Sequence, residues 1–450
     1  MSDLTWIDHL ARREKANAAR QAARGEWLTL WTARVLLVAT YLFLLVGVSP
    51  LSEDTGLSAD GDMKRQLVLL LLAGIAAPLL LVRWRFVIAL LAQAWALLLV
   101  YAAIAATTLW SAYPGVTIRR LVVYLIFLEI GLALAAVLRS PKLYLPPLVI
   151  AFTVTLVGDY AVTVLVPDRA FTAIGLQGLH PGKNTLGAVM QMMVIVLCAT
   201  LLAVRTPLFF WSLVVLVVLA FGLLVLSLSK TSLALALLLG VVVIPSFVVL
   251  QSSRMALLAA FAAGIVLCGF VVFVTGAFSL GAADWAEIIT GDATFTSRDE
   301  IWSAMTRHIA AAPWFGYGWG AQWSMLPVYH PLWNYVGFWT DNDQDLNILR
   351  QSHNGYLDIM VHGGLFLASF VTIFFLRVIA LFVASLWQGP TNRWSLAGTV
   401  LVFASVVALL FNNMTESSLF FPDKLIGQIF ILFVLAFHAW QIDQNRGHIH

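Results

Sequence analysis

The sequence predicts an all-α polytopic membrane protein with about 12 transmembrane helices and one large extracytoplasmic loop that contains short helices. Two compositional observations indicate this fold class: hydrophobic residues make up 61% of the chain, and charged residues only 11%. In addition, roughly a dozen apolar runs approach the length of about 20 residues that crosses a bilayer as a helix. A soluble domain of this length would need far more charge on its surface.

The predicted spans are apolar runs bounded by turn signals. They lie near residues 34–50, 66–82, 86–109, 119–138, 145–166, 185–204, 208–228, 231–250, 255–275, 357–378, 396–413 and 425–441. The even count places both termini on one side of the membrane. The short loops on that side are rich in Lys and Arg, which the positive-inside rule identifies as cytosolic.

This topology divides the chain into five segments. They are a cytosolic or interfacial N-terminal helix at 1–33, nine spans at 34–275, a large extracytoplasmic loop at 276–356, three spans at 357–441 and a cytosolic tail at 442–450. The N-terminal segment is charged and lacks the cleavage site of a secretory signal, so we expect it to remain attached and to lie on the membrane surface.

Composition and motifs exclude several function classes. Both cysteines, Cys198 and Cys268, lie in apolar runs, where thiols behave as small hydrophobic groups. The sequence has no HExxH motif, no glycine-rich phosphate loop and no paired carboxylates. Nothing in it resembles a basic surface for nucleic acid. We therefore expect no disulfide, no metal, no cofactor and no nucleic-acid partner.

The large loop contains one clear helix signal, TSRDEIWSAMTRHIAAAP. Ser297 and Glu300 have the spacing of a capping box, and Pro313 marks the end of the helix. The rest of the loop is dense in Trp, Tyr and Gly, which is typical of an interfacial lid with amphipathic rings at headgroup level.

Five cationic residues lie at the predicted outer face: Arg119, Arg120, Lys183, Lys230 and Arg298. Helix-end anchoring would explain the arginine pair, and snorkelling would explain Lys183, without any ligand. Lys230 interrupts the apolar run LSLSKTSLALALL, where a cation is costly and usually functional. Arg298 opens its helix, where the macrodipole disfavours a cation unless an anion binds between them.

The stretch QSHNGYLD sets polar side chains at the start of the tenth span. A neutral imidazole at His353, beside a cationic pocket, can take a proton from an incoming hydroxyl as a general base. The alternative is structural: Asn354 would cap the helix and Tyr356 would anchor it at the interface. Weaker candidates for the base are His180, His308, His330 and His362.

Five short motifs follow one another between about Arg119 and Glu416. They are GLHPGKNTLG, SLSKTS, TSRDEIW followed by PWFGYGWG, QSHNGYLD ahead of a Gly-Gly pair, and TESSL. In this order, with a single large outer loop before the last three spans, they resemble the O-antigen ligase and polysaccharide polymerase superfamily of the bacterial envelope.

The resemblance implies a metal-independent glycosyltransferase of the bacterial inner membrane with a periplasmic active site. Its donor would be an undecaprenyl-pyrophosphate-linked glycan. Arg298 would contact the donor pyrophosphate, Lys230 would supply the second cation where ligases typically have Arg, and His353 would be the base. Lys230 lacks the bidentate donor geometry that Arg offers phosphate. Gly182 interrupts the polar cluster that the family often has before Lys183 and Asn184. Further substrate contacts would be Lys183, Asn184, Arg119, Arg120, Asn354, Tyr356 and Glu416.

Several reactions fit this resemblance. The SKT and SHNGYLD forms favour a polymerase that joins lipid-linked repeat units, with a chain-length regulator as a further partner. The alternative is a ligase that transfers finished polymer to lipid A-core. A protein O-oligosaccharyltransferase usually has a larger C-terminal region. A flippase or another transporter would place its charges nearer the midplane, and a structural scaffold would leave Lys230 and Arg298 unexplained.

Overall fold

The computed structural model describes residues 3–48, 63–246, 298–324, 351–389, 391–421 and 425–447. These residues are almost entirely helical, which confirms the predicted all-α polytopic membrane fold. The helices are α1 (Asp3–Val46), α2 (Met63–Val82), α3 (Trp84–Gln93), α4 (Trp95–Ala106), α5 (Pro114–Val137), α6 (Pro141–Leu165), α7 (Pro167–Ala170), α8 (Lys183–Leu201), α9 (Pro207–Leu226), α10 (Lys230–Leu237), α11 (Arg298–Ala311), α12 (Gly355–Gln388), α13 (Arg393–Thr415) and α14 (Leu425–Gly447).

Within these described ranges, nine helices are long and apolar enough to cross a membrane, and a bent pair can raise the number to ten. The bent pair is α3 and α4, which meet at Ala94 with an angle of 80°. The predicted span at 86–109 is therefore divided between two helices with a sharp bend. No proline or glycine lies at the bend, so the apolar sequence continues through it without a turn signal.

The structure describes one other predicted span only in part and another not at all. The eighth, at 231–250, begins as α10 and continues as a π-helix over Leu238–Val243. The ninth, at 255–275, lies outside the described residues. At the N-terminus, α1 is one continuous helix of 44 residues, and its membrane-spanning part starts at Ala23. The structure thus has no break at the predicted boundary between 33 and 34.

The spans alternate in direction and give the bundle two distinct ends. The end that we call the basic end carries arginine and lysine residues at helix termini: Arg83, Arg85, Arg139, Lys142, Arg205 and Arg393. Two ion pairs lie there, Arg83 with Glu26, and Arg139 with Asp443 at 3.8 Å. The opposite end, which we call the loop end, carries the starts of α5, α8, α10 and α12 and the end of α13.

At the loop end, the segment after α11 lies against a kink in α12. The kink is at Gly364, whose φ of +60° lies in the left-handed region that glycine tolerates. The carbonyl oxygens freed there accept hydrogen bonds from the loop, from Tyr317 N to Val361 O at 2.8 Å and from Gly318 N to His362 O at 3.1 Å. The loop is therefore attached by its backbone to the helix that follows His353.

A small hairpin precedes α8. Residues Phe171–Thr172 pair antiparallel with Gly175–Leu176. The hairpin contacts the end of α9, because a Cβ atom built on Gly175 would lie 2.5 Å from the carbonyl oxygen of Ser227. It therefore links the starts of α8 and α10 at the loop end.

Candidate functional site

His353 lies in a tight turn immediately before α12. Its φ of +53° is unusual for a residue with a side chain and costs energy unless neighbouring contacts hold it. The next residue, Asn354, is the N-cap of α12: its Oδ1 accepts hydrogen bonds from Tyr356 N at 3.0 Å and Leu357 N at 3.2 Å. The helix cap thus fixes the turn that presents the imidazole, whose side chain is 31% exposed.

Glu416 connects this turn to the start of α8. It is the C-cap residue of α13, in extended conformation, 63 residues after His353 in the chain. Its Oε2 lies 3.2 Å from Nδ1 of His353 and 3.4 Å from Nε2 of Gln351. Its Oε1 accepts a hydrogen bond from Nδ2 of Asn184 at 3.2 Å. Three motifs that are distant in sequence, QSHN, TESSL and GKNT, therefore meet at one carboxylate.

Asp358, in the first turn of α12, joins the segment that carries His353 to the segment that carries Glu416. This carboxyl group is 1% exposed. It accepts hydrogen bonds from Ser352 Oγ at 2.8 Å, from Ser352 N at 3.2 Å, from Trp323 Nε1 at 2.9 Å and from Ser417 Oγ. Ser352 precedes His353 and Ser417 follows Glu416. The Asp358 network therefore fixes the neighbours of both members of the His353–Glu416 pair.

The two lysines open adjacent helices. Lys183 is the first residue of α8 and Lys230 the first residue of α10. The helices touch closely near these starts, since a Cβ atom built on Gly187 would lie 2.6 Å from the Cβ of Ser229. Lys230 is exposed, while Lys183 is half-buried and its Nζ donates to Ile174 O of the hairpin at 3.0 Å. Two helix N-termini and two ammonium groups make this corner attractive to an anion.

Arg298 is the first residue of α11, and its side chain lies outside the described residues. The position of α11 is nevertheless informative. Trp302, one helical turn after Arg298, donates from Nε1 to the carbonyl oxygen of Ser352 at 3.0 Å. Four residues of α-helix rise about 6 Å, so the backbone of Arg298 lies about one helical turn from Trp302, whose indole contacts the residue before His353.

Two further sequence candidates lie elsewhere at the loop end. Arg120 on α5 donates from Nη1 to the carbonyl oxygen of Gly320 at 2.6 Å and so supports the loop after α11. Arg119 is exposed on the same turn of α5. Tyr356 donates from its hydroxyl to Leu410 O at 2.8 Å, a contact that links α12 to α13.

The weaker histidine candidates occupy buried structural positions where they are described. His180 lies 3.2 Å from Asp159, and both side chains are buried. His308 contacts Gln322 Oε1 at 3.1 Å and stacks on Tyr317. Burial lowers the pKa of His308, and its hydrogen bond to Gln322 opposes that shift. His362 is also buried, and His330 lies outside the described residues.

In the described part of the chain, neither a pocket nor a group of potential metal-ligating side chains indicates a second functional site. A small pocket lies among α1, α5, α6 and α14, lined by aliphatic side chains with Tyr41, Tyr144 and Phe433. It is nearer to the basic end than to His353. No group of three or more His, Cys, Asp or Glu side chains that could hold a metal ion occurs among the described residues.

Sequence reasoning missed several residues of this arrangement. Asp358 stands inside the QSHNGYLD motif, and a carboxylate at the start of an apolar helix was the available signal, because such groups are costly unless satisfied. Gln351, Trp302 and Ser417 carried no comparable signal, since their partners are distant in sequence.

A comparison with protein families supports the resemblance seen in the motifs. Residues 215–372 match the family model described as O-antigen ligase. The matched segment includes Lys230, Arg298, His353, Asn354 and Tyr356, and it excludes the α8 start and Glu416. No curated protein matches the chain. Together with the apolar spans, the match over residues 215–372 supports a place for this membrane protein in the O-antigen ligase and polysaccharide polymerase superfamily.

Proposed function

We propose that the protein polymerises lipid-linked glycan repeat units at the outer face of the bacterial inner membrane. The donor is an undecaprenyl-pyrophosphate-linked glycan, and the acceptor is a hydroxyl group of a second lipid-linked repeat. One observation carries this proposal: Glu416 joins the His353 turn to the first turn of α8, next to Lys183. A candidate base thus lies beside a corner suited to bind an anion.

The proposed reaction is a single displacement. The acceptor oxygen forms a bond to the anomeric carbon of the donor while the bond from that carbon to the pyrophosphate oxygen breaks. The proton of the acceptor hydroxyl passes to His353, and undecaprenyl pyrophosphate leaves with the bonding electron pair. Such an attack inverts the anomeric centre. Because pyrophosphate is already a good leaving group, the protein needs mainly positioning, charge stabilisation and a base.

Three cations serve the leaving group in this proposal: Lys183, Lys230 and Arg298. The two lysines open α8 and α10, where the helix dipoles add to their charge. Arg298 opens α11, which is tethered to the His353 turn through Trp302. We assign no metal ion or cofactor to the reaction, and we expect a chelator to leave the rate unchanged.

The proposed orientation places the loop end in the periplasm and both termini in the cytosol. Lysine and arginine residues gather at the helix termini of the basic end, as the positive-inside rule requires of a cytosolic face. A donor held in the outer leaflet would then reach the lysines laterally, and a water-borne acceptor glycan would approach His353 from the loops.

A ligase is the second candidate, because the matched family model is described as O-antigen ligase. In that case the acceptor is lipid A-core and the donor carries a finished polymer. The motif forms SKT and SHNGYLD favour the polymerase. A chain-length regulator is a further partner that the polymerase reaction would use. A flippase is disfavoured, since Lys183 and Lys230 lie at helix starts and not at mid-helix.

The proposal is tested with purified protein in liposomes that contain lipid-linked single repeats. The expected products are longer lipid-linked oligomers and free undecaprenyl pyrophosphate. His353→Ala and Arg298→Ala should abolish transfer while the protein remains folded. Asp443→Asn, at the basic end, is the matched control and should keep wild-type activity. Near-normal polymer with either site variant would remove that residue from the mechanism.

A further inference from the structure

The Glu416 carboxylate determines which ring nitrogen of His353 can act as the base. A carboxylate only accepts hydrogen bonds, so the hydrogen in the 3.2 Å contact between Oε2 and Nδ1 lies on Nδ1. Gln351 Nε2 lies 3.3 Å from the same nitrogen, but it also reaches Oε2 of Glu416, so it can donate there while Nδ1 keeps its hydrogen. In a neutral imidazole the lone pair then belongs to Nε2. The contact therefore selects the tautomer in which Nε2 is the basic atom.

The other contacts of Glu416 agree with an ionised carboxylate. Gln351 Nε2 approaches Oε2 at 3.4 Å, and Asn184 Nδ2 donates to Oε1 at 3.2 Å. With Nδ1–H of His353, three donors converge on one side chain. A protonated carboxyl group would direct its own hydrogen at one of these donors, so the arrangement favours the charged form.

The carboxylate also complements the change that catalysis imposes on the ring. When Nε2 takes a proton, the imidazole becomes a cation. A negative charge at Nδ1 stabilises this imidazolium. Glu416 is 20% exposed, compared with 31% for His353, so the histidine is the more accessible member of the pair.

We propose that Glu416 is a positioning residue for His353 and not a substrate contact. It orients the ring, holds the proton on Nδ1 and stabilises the charge that forms when the acceptor proton arrives at Nε2. The Nδ1 proton stays on His353 throughout. This inference rests on the proposed function, because it matters only if His353 is the base.

The test is the kinetics of Glu416→Gln with lipid-linked single repeats in liposomes. Glutamine keeps the shape of the side chain and one acceptor oxygen but removes the charge. We expect kcat to fall about tenfold to a hundredfold while KM for the donor stays unchanged. We also expect the acidic limb of the kcat profile to move to lower pH, because the protonated ring loses its stabilising carboxylate. Glu416→Asp keeps the charge and should leave that limb in place.

Glu26→Gln is the matched control, since Glu26 forms an exposed ion pair with Arg83 at the basic end and should tolerate the change. A rise in KM with unchanged kcat would mean that Glu416 contacts substrate. A lower kcat with an unmoved acidic limb would mean a purely structural role. Either result would overturn the inference.

The same assay separates this inference from the proposed function. If His353→Ala remains active, the proposed mechanism fails at its base. If His353→Ala is inactive and Glu416→Gln has wild-type kinetics, only the role of Glu416 fails.

Discussion

The indole of Trp302 donates a hydrogen bond of 3.0 Å to the carbonyl oxygen of Ser352, the residue before His353. This bond ties α11, which begins at Arg298, to the turn that precedes α12. Arg298 is the first residue of α11, four residues and about one helical turn before Trp302. The contact therefore ties the first turn of α11 to the turn that carries His353.

Trp302→Phe tests this tether. Phenylalanine keeps most of the ring but cannot donate to Ser352, so we expect a loss of about 1 kcal/mol in the free energy of unfolding. We expect a clear loss of transfer activity in a protein that stays folded, because residue 302 no longer holds α11 in place against the His353 turn. Activity in liposomes and thermal unfolding in detergent measure the two effects. Trp211→Phe, an exposed ring at the start of α9, is the control. Equal activity of both variants would show that the tether is dispensable.

Asp358→Asn should destabilise the loop end strongly. Four donors from Ser352, Ser417 and Trp323 converge on this buried carboxyl group, and an amide directs its own N–H groups at some of them. Removing one side of such a buried network costs about 3 kcal/mol. We expect a lower Tm and a loss of activity together.

Asp443→Asn provides the comparison for that change. Asp443 lies 3.8 Å from Arg139 and its side chain is 48% exposed, so the substitution should alter the free energy of unfolding by less than about 0.5 kcal/mol. A similar Tm for both variants would contradict the role given to Asp358.

Lys230 should be replaceable by Arg but not by Ala. Both basic side chains supply positive charge at the start of α10, and Arg adds the bidentate geometry that suits phosphate. We expect Lys230→Ala to raise KM for the lipid-linked donor at least about tenfold, as loss of a charge-assisted contact predicts. Lys142→Ala, an exposed lysine at the start of α6, is the control. Unchanged donor KM in Lys230→Ala would exclude a pyrophosphate contact.

His308 should make the packing of α11 against the loop that follows it sensitive to acid. Its pKa is lowered in the folded state, chiefly by burial, from an ordinary value of 6.5. The unfolded chain therefore binds more protons below an ordinary pKa of 6.5, and the His308 contribution to stability is lost progressively as the pH falls from there toward the lowered pKa of the folded state. We expect Tm to drop between about pH 7.5 and about pH 5.5, and to drop less in His308→Gln. Parallel Tm profiles for the two proteins would show that His308 does not cause the sensitivity.

Local pattern was sufficient to predict much of this fold. Apolar length located most of the described spans, and the polar start of QSHNGYLD located the turn before α12. The capping role of Asn354 was predicted as the structural alternative, because a helix cap depends on residues close in sequence.

Long-range partnerships could not be predicted in this way. Glu416 contacts His353, which lies 63 residues earlier in the chain. Arg120 donates to the carbonyl oxygen of Gly320, 200 residues later, whereas the family resemblance had suggested a substrate contact for Arg120. The bend between α3 and α4 escaped prediction because no proline, glycine or polar run interrupts the apolar sequence at Ala94. In each case the determining interaction depends on packing between helices, which periodicity does not encode.

The most direct test of the proposed function is the length of the glycan left on undecaprenyl pyrophosphate when the protein is deleted from its native host. A polymerase joins single repeats, so its loss should make single lipid-linked repeats accumulate in the outer leaflet. Long glycan chains stranded on the lipid carrier would contradict the polymerase and indicate a ligase. Loss of lipid-linked glycan from the outer leaflet would contradict glycan transfer altogether and indicate a flippase.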